Sequence, residues 1–194
     1  MYSLRNYGLI ITLVFFTATA QADWVLDGEN SSLNFVSVKK DKIGEVNHFK
    51  TLSGEITNEG KASVTIDLAS VETNIDVRNE RIKNILLEVD AYPKAKVMLK
   101  LDAAQLMSLA IGERRVVPVN LTVLLHGKRK EMMFDVIVVG LVGGSLMVLS
   151  LQPIILNAFD FGLDVGISKL IEITKLPSID SAVPVTFNLV FKAK

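Results

Sequence analysis

The chain has 194 residues, 21 basic and 21 acidic side chains and no cysteine, and 49% of it is hydrophobic. The length suits one domain, or two small ones. Balanced charge argues against a general polyanion binder, and the apolar fraction excludes a disordered chain. Without cysteine there is no disulfide scaffold, thiolate metal site, cysteine nucleophile or lipid-modified cysteine.

The first segment reads as a secretory leader. Arg5 stands beside the amino terminus, Tyr7 to Ala18 is almost wholly apolar, and Ala20-Gln21-Ala22 precedes Asp23. A basic start, a short apolar run and an A-x-A site define a signal peptide. The run is shorter than the roughly 20 apolar residues that a membrane-spanning helix needs. The expectation is therefore a signal peptide over residues 1–22, cleaved after Ala22, and an exported, periplasmic domain over 23–194 with no membrane span. Val136 to Leu151 is the next most apolar stretch, but Gly140, Gly143 and Gly144 interrupt it.

Beyond the leader the dominant pattern is period-two alternation, which marks strands with one buried face. It runs through Leu33 and Phe35, then Val64, Ile66 and Leu68, then Val97, Leu99 and Leu101. It continues through Val117 to Leu125, through Phe134, Val136 and Val138, and ends with Val185, Phe187, Leu189 and Phe191. Asn58-Glu59-Gly60, His126-Gly127-Lys128 and Gly143-Gly144 supply turns between these runs, so most neighbours should be antiparallel. Pro118, inside an apolar run, predicts an edge, a strand start or a bulge.

Two stretches break the alternation. Ile82, Ile85, Leu86 and Val89 fall on one stripe of a short helix over Asn79 to Val89, with Tyr92-Pro93 as its stop. Ile167, Leu170, Ile171 and Thr174 suggest a second short helix before Pro177. No internal repeat or linker divides the chain. About eight strands with one or two helices predict an all-β fold, closed into an antiparallel barrel so that the apolar face is covered.

Several motifs, read together, resemble the YceI-like family of exported proteins. They begin with Asp27 and Ser31-Ser32-Leu33-Asn34-Phe35, followed by Phe49 to Gly54. The most specific is the block Ser70-Val71-Glu72-Thr73 through Arg78-Asn79-Glu80-Arg81-Ile82. Tyr92-Pro93-Lys94-Ala95 and Leu121-Thr122-Val123-Leu124-Leu125-His126-Gly127 complete the likeness, which spans nearly all of the mature chain. The chain departs from the family pattern at Val38-Lys39-Lys40, where many members carry a histidine, at Asn79, and at Arg81-Ile82 in place of His-Leu. The resemblance implies a lipocalin-like, elongated β-barrel. It also implies an interior tunnel, which in some members holds a polyprenyl phosphate or a ubiquinone-type quinone.

The inward-facing set is Phe35, Val64, Ile66, Leu68, Leu99, Leu121, Val123, Phe134, Val136, Phe187 and Leu189. By geometry alone it either lines a tunnel or fills a core, since an eight-stranded barrel does either. Arg78 and Arg81 are headgroup candidates, because guanidinium forks match phosphate. The competing reading is local ion pairing with Asp76, Glu80 or Glu88. Lys39-Lys40-Asp41-Lys42 reads as a solvated hairpin tip, with attraction to an anionic lipid surface as the alternative.

His48 and His126 sit in no metal-binding pattern, and His126 reads as a surface turn residue. No Gly-x-Ser-x-Gly elbow or Gly-rich phosphate loop is present, so no catalytic group set or metal site is assigned. The leading expectation is a periplasmic binding protein, not an enzyme. It needs no cofactor and holds an isoprenoid lipid or quinone. The alternative is a filled-barrel structural or interaction protein of the cell envelope. A homodimer stays open, its sign being an exposed apolar edge.

Overall fold

The computed structural model describes residues 22–194 apart from 103, 105 and 107. The expected leader lies outside the described residues except for Ala22, which opens the first strand. The strands are β1 (Ala22–Leu26), β2 (Ser32–Lys39), β3 (Ile43–Phe49), β4 (Leu52–Thr57), β5 (Lys61–Asp67) and β6 (Val71–Glu72). They continue as β7 (Lys94–Lys100), β8 (Arg114–Leu125), β9 (Lys128–Gly140), β10 (Leu146–Ser150), β11 (Ile154–Asn157) and β12 (Ala182–Ala193). Helix α1 spans Asp76–Arg81 and α2 spans Asp164–Thr174.

Eight of these strands close a ring in the order β1, β4, β5, β7, β8, β9, β10, β12 and back to β1, every pair antiparallel. This is the expected barrel. It is closed over only part of its height. The C-terminal half of β12 sits between β10 and β1, while its N-terminal half sits between β11 and β2. Strand β9 pairs with β10 only over Val136–Gly140, and β11 pairs only with β12. The barrel therefore has a closed end and an open end, and the two helices lie at the open end. At Pro118, β8 has β9 on one side and lies beyond its pairing with β7 on the other, so no ladder bond is lost there.

The closed end is solid. Trp24, Leu26, Ile56, Val64, Val119, Val136, Val138, Leu146, Leu189 and Phe191 are all buried. Each such side chain contributes about 1.5–3 kcal/mol by leaving water. Trp24 Nε1 donates to the Gly144 carbonyl at 2.8 Å, which ties β1 to the β9–β10 turn.

Helix α1 starts three residues before the helix predicted over Asn79 to Val89. Asn74 takes a left-handed backbone (φ 61) and Ile75 an extended one, which sets the start at Asp76. The α-turns then widen to a π-turn over Ile82–Leu86, where the Leu87 N–H reaches the Ile82 carbonyl at 2.9 Å. The segment stops at Glu88 (φ 47), ahead of Tyr92-Pro93, so the proline is not what ends it. Helix α2 matches its predicted stripe. It lies so close to the π-turn that a Cβ on Gly166 would stand 2.8 Å from the Ile85 carbonyl oxygen.

Helix α1 is anchored through Asn79. Its Oδ1 accepts from the Thr73 N–H (2.9 Å) and hydroxyl (2.6 Å), and its Nδ2 donates to Glu72 at 2.9 Å. Both Asn79 and Thr73 are buried. Asn79→Ala leaves the Thr73 N–H without its partner and the Thr73 hydroxyl with only a long bond to the Ile75 carbonyl (3.4 Å). It is expected to cost about 1–3 kcal/mol in urea unfolding.

Two carboxylates make the fold acid-sensitive. Lys192 Nζ (2.6 Å), aided by Asn30, holds Asp27 at about 2 against an ordinary 3.8. Lys50 first, then Asn79 and the Asn74 N–H, hold Glu72 at about 2 against 4.5. Both folded values are depressed, so unfolding takes up protons in this window. The stabilisation is complete above the unfolded values and is lost as pH falls through about 2. The melting temperature is expected to fall from pH 4.5 towards pH 2, and to fall less steeply in Glu72→Gln.

Candidate functional site

The open half of the barrel holds a cavity of about 510 Å³, within the roughly 300–1,000 Å³ typical of small-molecule sites. Its wall is almost wholly apolar. Alternation on β2, β5, β7, β8, β9 and β12 turns one side chain in two inward. The helical layer closes the side that the strands leave open, with Ile82, Leu86, Ile167 and Leu170 facing the space. Phe161 and Leu163, on the segment leading into α2, complete that layer.

Of the inward set read from the sequence, Phe35, Ile66, Leu68, Leu121, Val123, Phe134 and Phe187 line this cavity. Val64, Leu99, Val136 and Leu189 do not. They lie two residues further along their strands, towards the closed end, and pack in the solid part of the barrel. The two geometric readings of that set thus hold in different halves of one barrel. The reason is closure: where the ring is complete, opposite walls meet at the axis, and where it opens they stand apart.

Polar groups gather at the mouth. Ile75 and Val77 line the cavity yet are 45% and 56% exposed, so the opening lies at the start of α1. Beside them, Glu45 on β3 takes Lys39 Nζ at 2.8 Å and Arg78 Nη1 at 2.6 Å. Lys39 first, then Arg78, hold the Glu45 carboxyl below the usual carboxylate range. Arg78 also donates from Nη2 to the Thr73 carbonyl at 2.6 Å, while its buried Nε has no partner. Arg78 is therefore a structural clamp across the fold. Its partner is Glu45 on β3, and not Asp76, Glu80 or Glu88 on its own segment.

Arg81, one turn further on, also lines the cavity and has no ion pair or hydrogen bond among the described residues. The mouth thus carries a Lys39–Glu45–Arg78 cluster with one net positive charge, and beside it Arg81, a cation without an ion pair among the described residues. The run at Lys39 forms the β2–β3 tip, with Lys40 and Asp41 in left-handed backbone. That tip is pinned to the segment before β12, Lys40 N–H to the Ser178 carbonyl at 3.1 Å and the Ser178 hydroxyl to Asp41 at 2.5 Å.

His126 is not the free surface residue that its turn position suggests. Its side chain is only 13% exposed. The ring packs against Tyr92 at a tilt of 52° (4.4 Å between centroids) and bonds Glu88 Oε2 at 3.0 Å and the Phe161 carbonyl at 3.3 Å. It joins the β8–β9 turn to the end of the first helical segment at Glu88 and to the segment leading into α2 at Phe161. His48 sits on β3 opposite Glu72 and Asn34. Among the described residues no group of three or more His, Asp or Glu side chains is placed to hold a metal ion, and no helix is long and apolar enough to cross a membrane.

The sequence left several mouth and lid residues unassigned. Lys39 reads as part of a charged hairpin tip, Glu45 has no role assigned from the sequence, and Phe161, Leu163 and Ile179 lie in irregular segments where no periodicity shows which way they face.

Comparison with known proteins agrees with this architecture. The model of the YceI-like domain matches residues 24–191. A polyisoprenoid binding domain from Saccharophagus degradans is 38% identical, with a TM-score of 0.88 over 90% of this chain and 100% of that one. BcnA from Burkholderia cenocepacia shares the fold at 19% identity, with a TM-score of 0.67 over 85% of this chain and 98% of that one. A mutant Campylobacter jejuni YceI protein shares it at 15% identity and a TM-score of 0.51, over 98% and 99% of the two chains. No curated protein matches at a significant level. The family model covers the barrel, the helical layer and the cavity between them, and the chain belongs to the YceI-like domain family.

Proposed function

We propose that this protein is a carrier that holds an amphiphile with a long isoprenoid tail, of the quinone or polyprenyl phosphate type, without covalent chemistry. The observation that carries the reading is the apolar cavity of about 510 Å³ opening beside Arg81, which has no ion pair among the described residues. A tail in that space is stabilised by burial, at about 25 cal/mol per Å² of apolar surface. The head stays at the polar mouth. The polyisoprenoid binding domain at 38% identity supports the same ligand class. The unfilled half of the barrel favours this reading over a filled-barrel structural or interaction protein of the cell envelope. The signal peptide expected over residues 1–22 supports a periplasmic location as part of the same proposal.

Organic extraction of the purified protein followed by mass spectrometry is expected to yield an isoprenoid lipid near one per chain. Repeated extraction without lipid defeats the proposal. Arg81 separates the two headgroups. If the head is a phosphate, Arg81→Ala is expected to weaken binding of a prenyl phosphate about tenfold, the size of one charge-assisted hydrogen bond, and to leave the matching prenyl alcohol unchanged. Equal affinity of both variants for the phosphate in titration calorimetry points instead to a quinone-type head.

A further inference from the structure

The cavity ends at one level on five strands. On β5 the wall passes from Ile66, which lines the space, to Val64, which does not. On β7 it passes from Val97 to Leu99, on β8 from Leu121 to Val119, on β9 from Phe134 to Val136, and on β12 from Phe187 to Leu189. Each change is a single step of two residues, from one inward side chain to the next. The register staggers these steps from β5 to β9: Val64 stands opposite Val97, Leu99 opposite Leu121, and Val119 opposite Phe134, so each packed side chain borders a lining one on the next strand and the steps join into one staggered layer. Below that layer the ring is complete and packed, with Ile56, Val138 and Leu146 at most 2% exposed. The cavity is therefore blind: it has a mouth at Ile75 and Val77 and a floor at the opposite end.

We infer that the floor formed by Val64, Leu99, Val119, Val136 and Leu189 is a ruler that sets the tail length of the ligand. The inference rests on the carrier reading above and adds the selectivity within that ligand class. A headgroup held at the mouth fixes one end of the ligand. Each further isoprene unit then gains burial until the tail meets the floor. Past that point added units must fold back against a full wall or hang in water, and they gain nothing. An open tunnel has no such limit, because a longer tail would pass through.

The experiment is titration calorimetry of the full chain with all-trans prenyl diphosphates of increasing length, from geranyl through farnesyl and geranylgeranyl to longer members. The wild type is expected to tighten by on the order of tenfold per isoprene unit, and then to stop at one length. Val136→Ala and Leu189→Ala lower the floor and should move that break to a longer chain by at least one unit. Geranyl diphosphate, which ends short of the floor, should bind both within about twofold of the wild type. Val97→Phe puts volume into empty space above the floor and should move the break shorter. It leaves the packed layers untouched, so the test survives if the two truncations fail to fold.

A break that stays in place in folded variants overturns the ruler, as does affinity that climbs without a break in the wild type. Either result leaves the carrier reading standing. Absence of binding at every length, both for the diphosphates and for isoprenoid quinones of matched tail length, overturns both.

Discussion

The interior of this protein depends on how far its sheet closes. Strand β12 is twelve residues long, and its two halves have different neighbours. Its C-terminal half completes a ring with β10 and β1, so inward side chains from all eight strands meet at the axis and exclude water. Its N-terminal half is flanked by β11 and β2, and the early part of β9 has no partner on that side. The inward faces there are as apolar as at the closed end, but nothing stands opposite to touch them. An uncovered apolar face of that size costs too much in water, so a helical layer covers it. The layer covers without filling, and the space it leaves is the cavity.

The attachment of that layer is polar and lies at its margins. Asn79 and Thr73 fix the start of α1, Arg78 reaches across to Glu45, and His126 joins Glu88 and the Phe161 carbonyl at the other end. These bonds sit around the cavity and leave its wall dry. The arrangement also sets the electrostatics of the mouth. Glu45 serves two cations, so its cluster with Lys39 and Arg78 keeps one net positive charge, and Arg81 adds a second that has no ion pair among the described residues. The same lid that covers the cavity thus also carries the polar groups at its mouth.

Much of the fold was legible in the residues. Period-two runs such as Val117 to Leu125 and Val185 to Phe191 marked strands, because a half-buried pleated sheet writes its two faces into alternate positions. The helix stripes at Ile82 and Leu170 were legible for the corresponding reason at helical spacing. Where the α1 segment begins and ends was not, since the start follows the left-handed turn at Asn74 and the stop follows the backbone at Glu88. The family motifs pointed to the same barrel.

The sequence by itself determined which side chains turn inward, because alternation is a local property of the strand. It did not distinguish Ile66 from Val64, Phe134 from Val136, or Phe187 from Leu189, since each pair shares a strand, a face and an apolar character. Only the tertiary structure decided that the first of each pair borders empty space and the second is packed. That depends on the distance to the opposite wall, which is set by strands far away in the chain. The same holds for Arg78 and Arg81: their spacing is equally suited to local pairing, and it is the position of Glu45 on β3 that occupies one and leaves the other free.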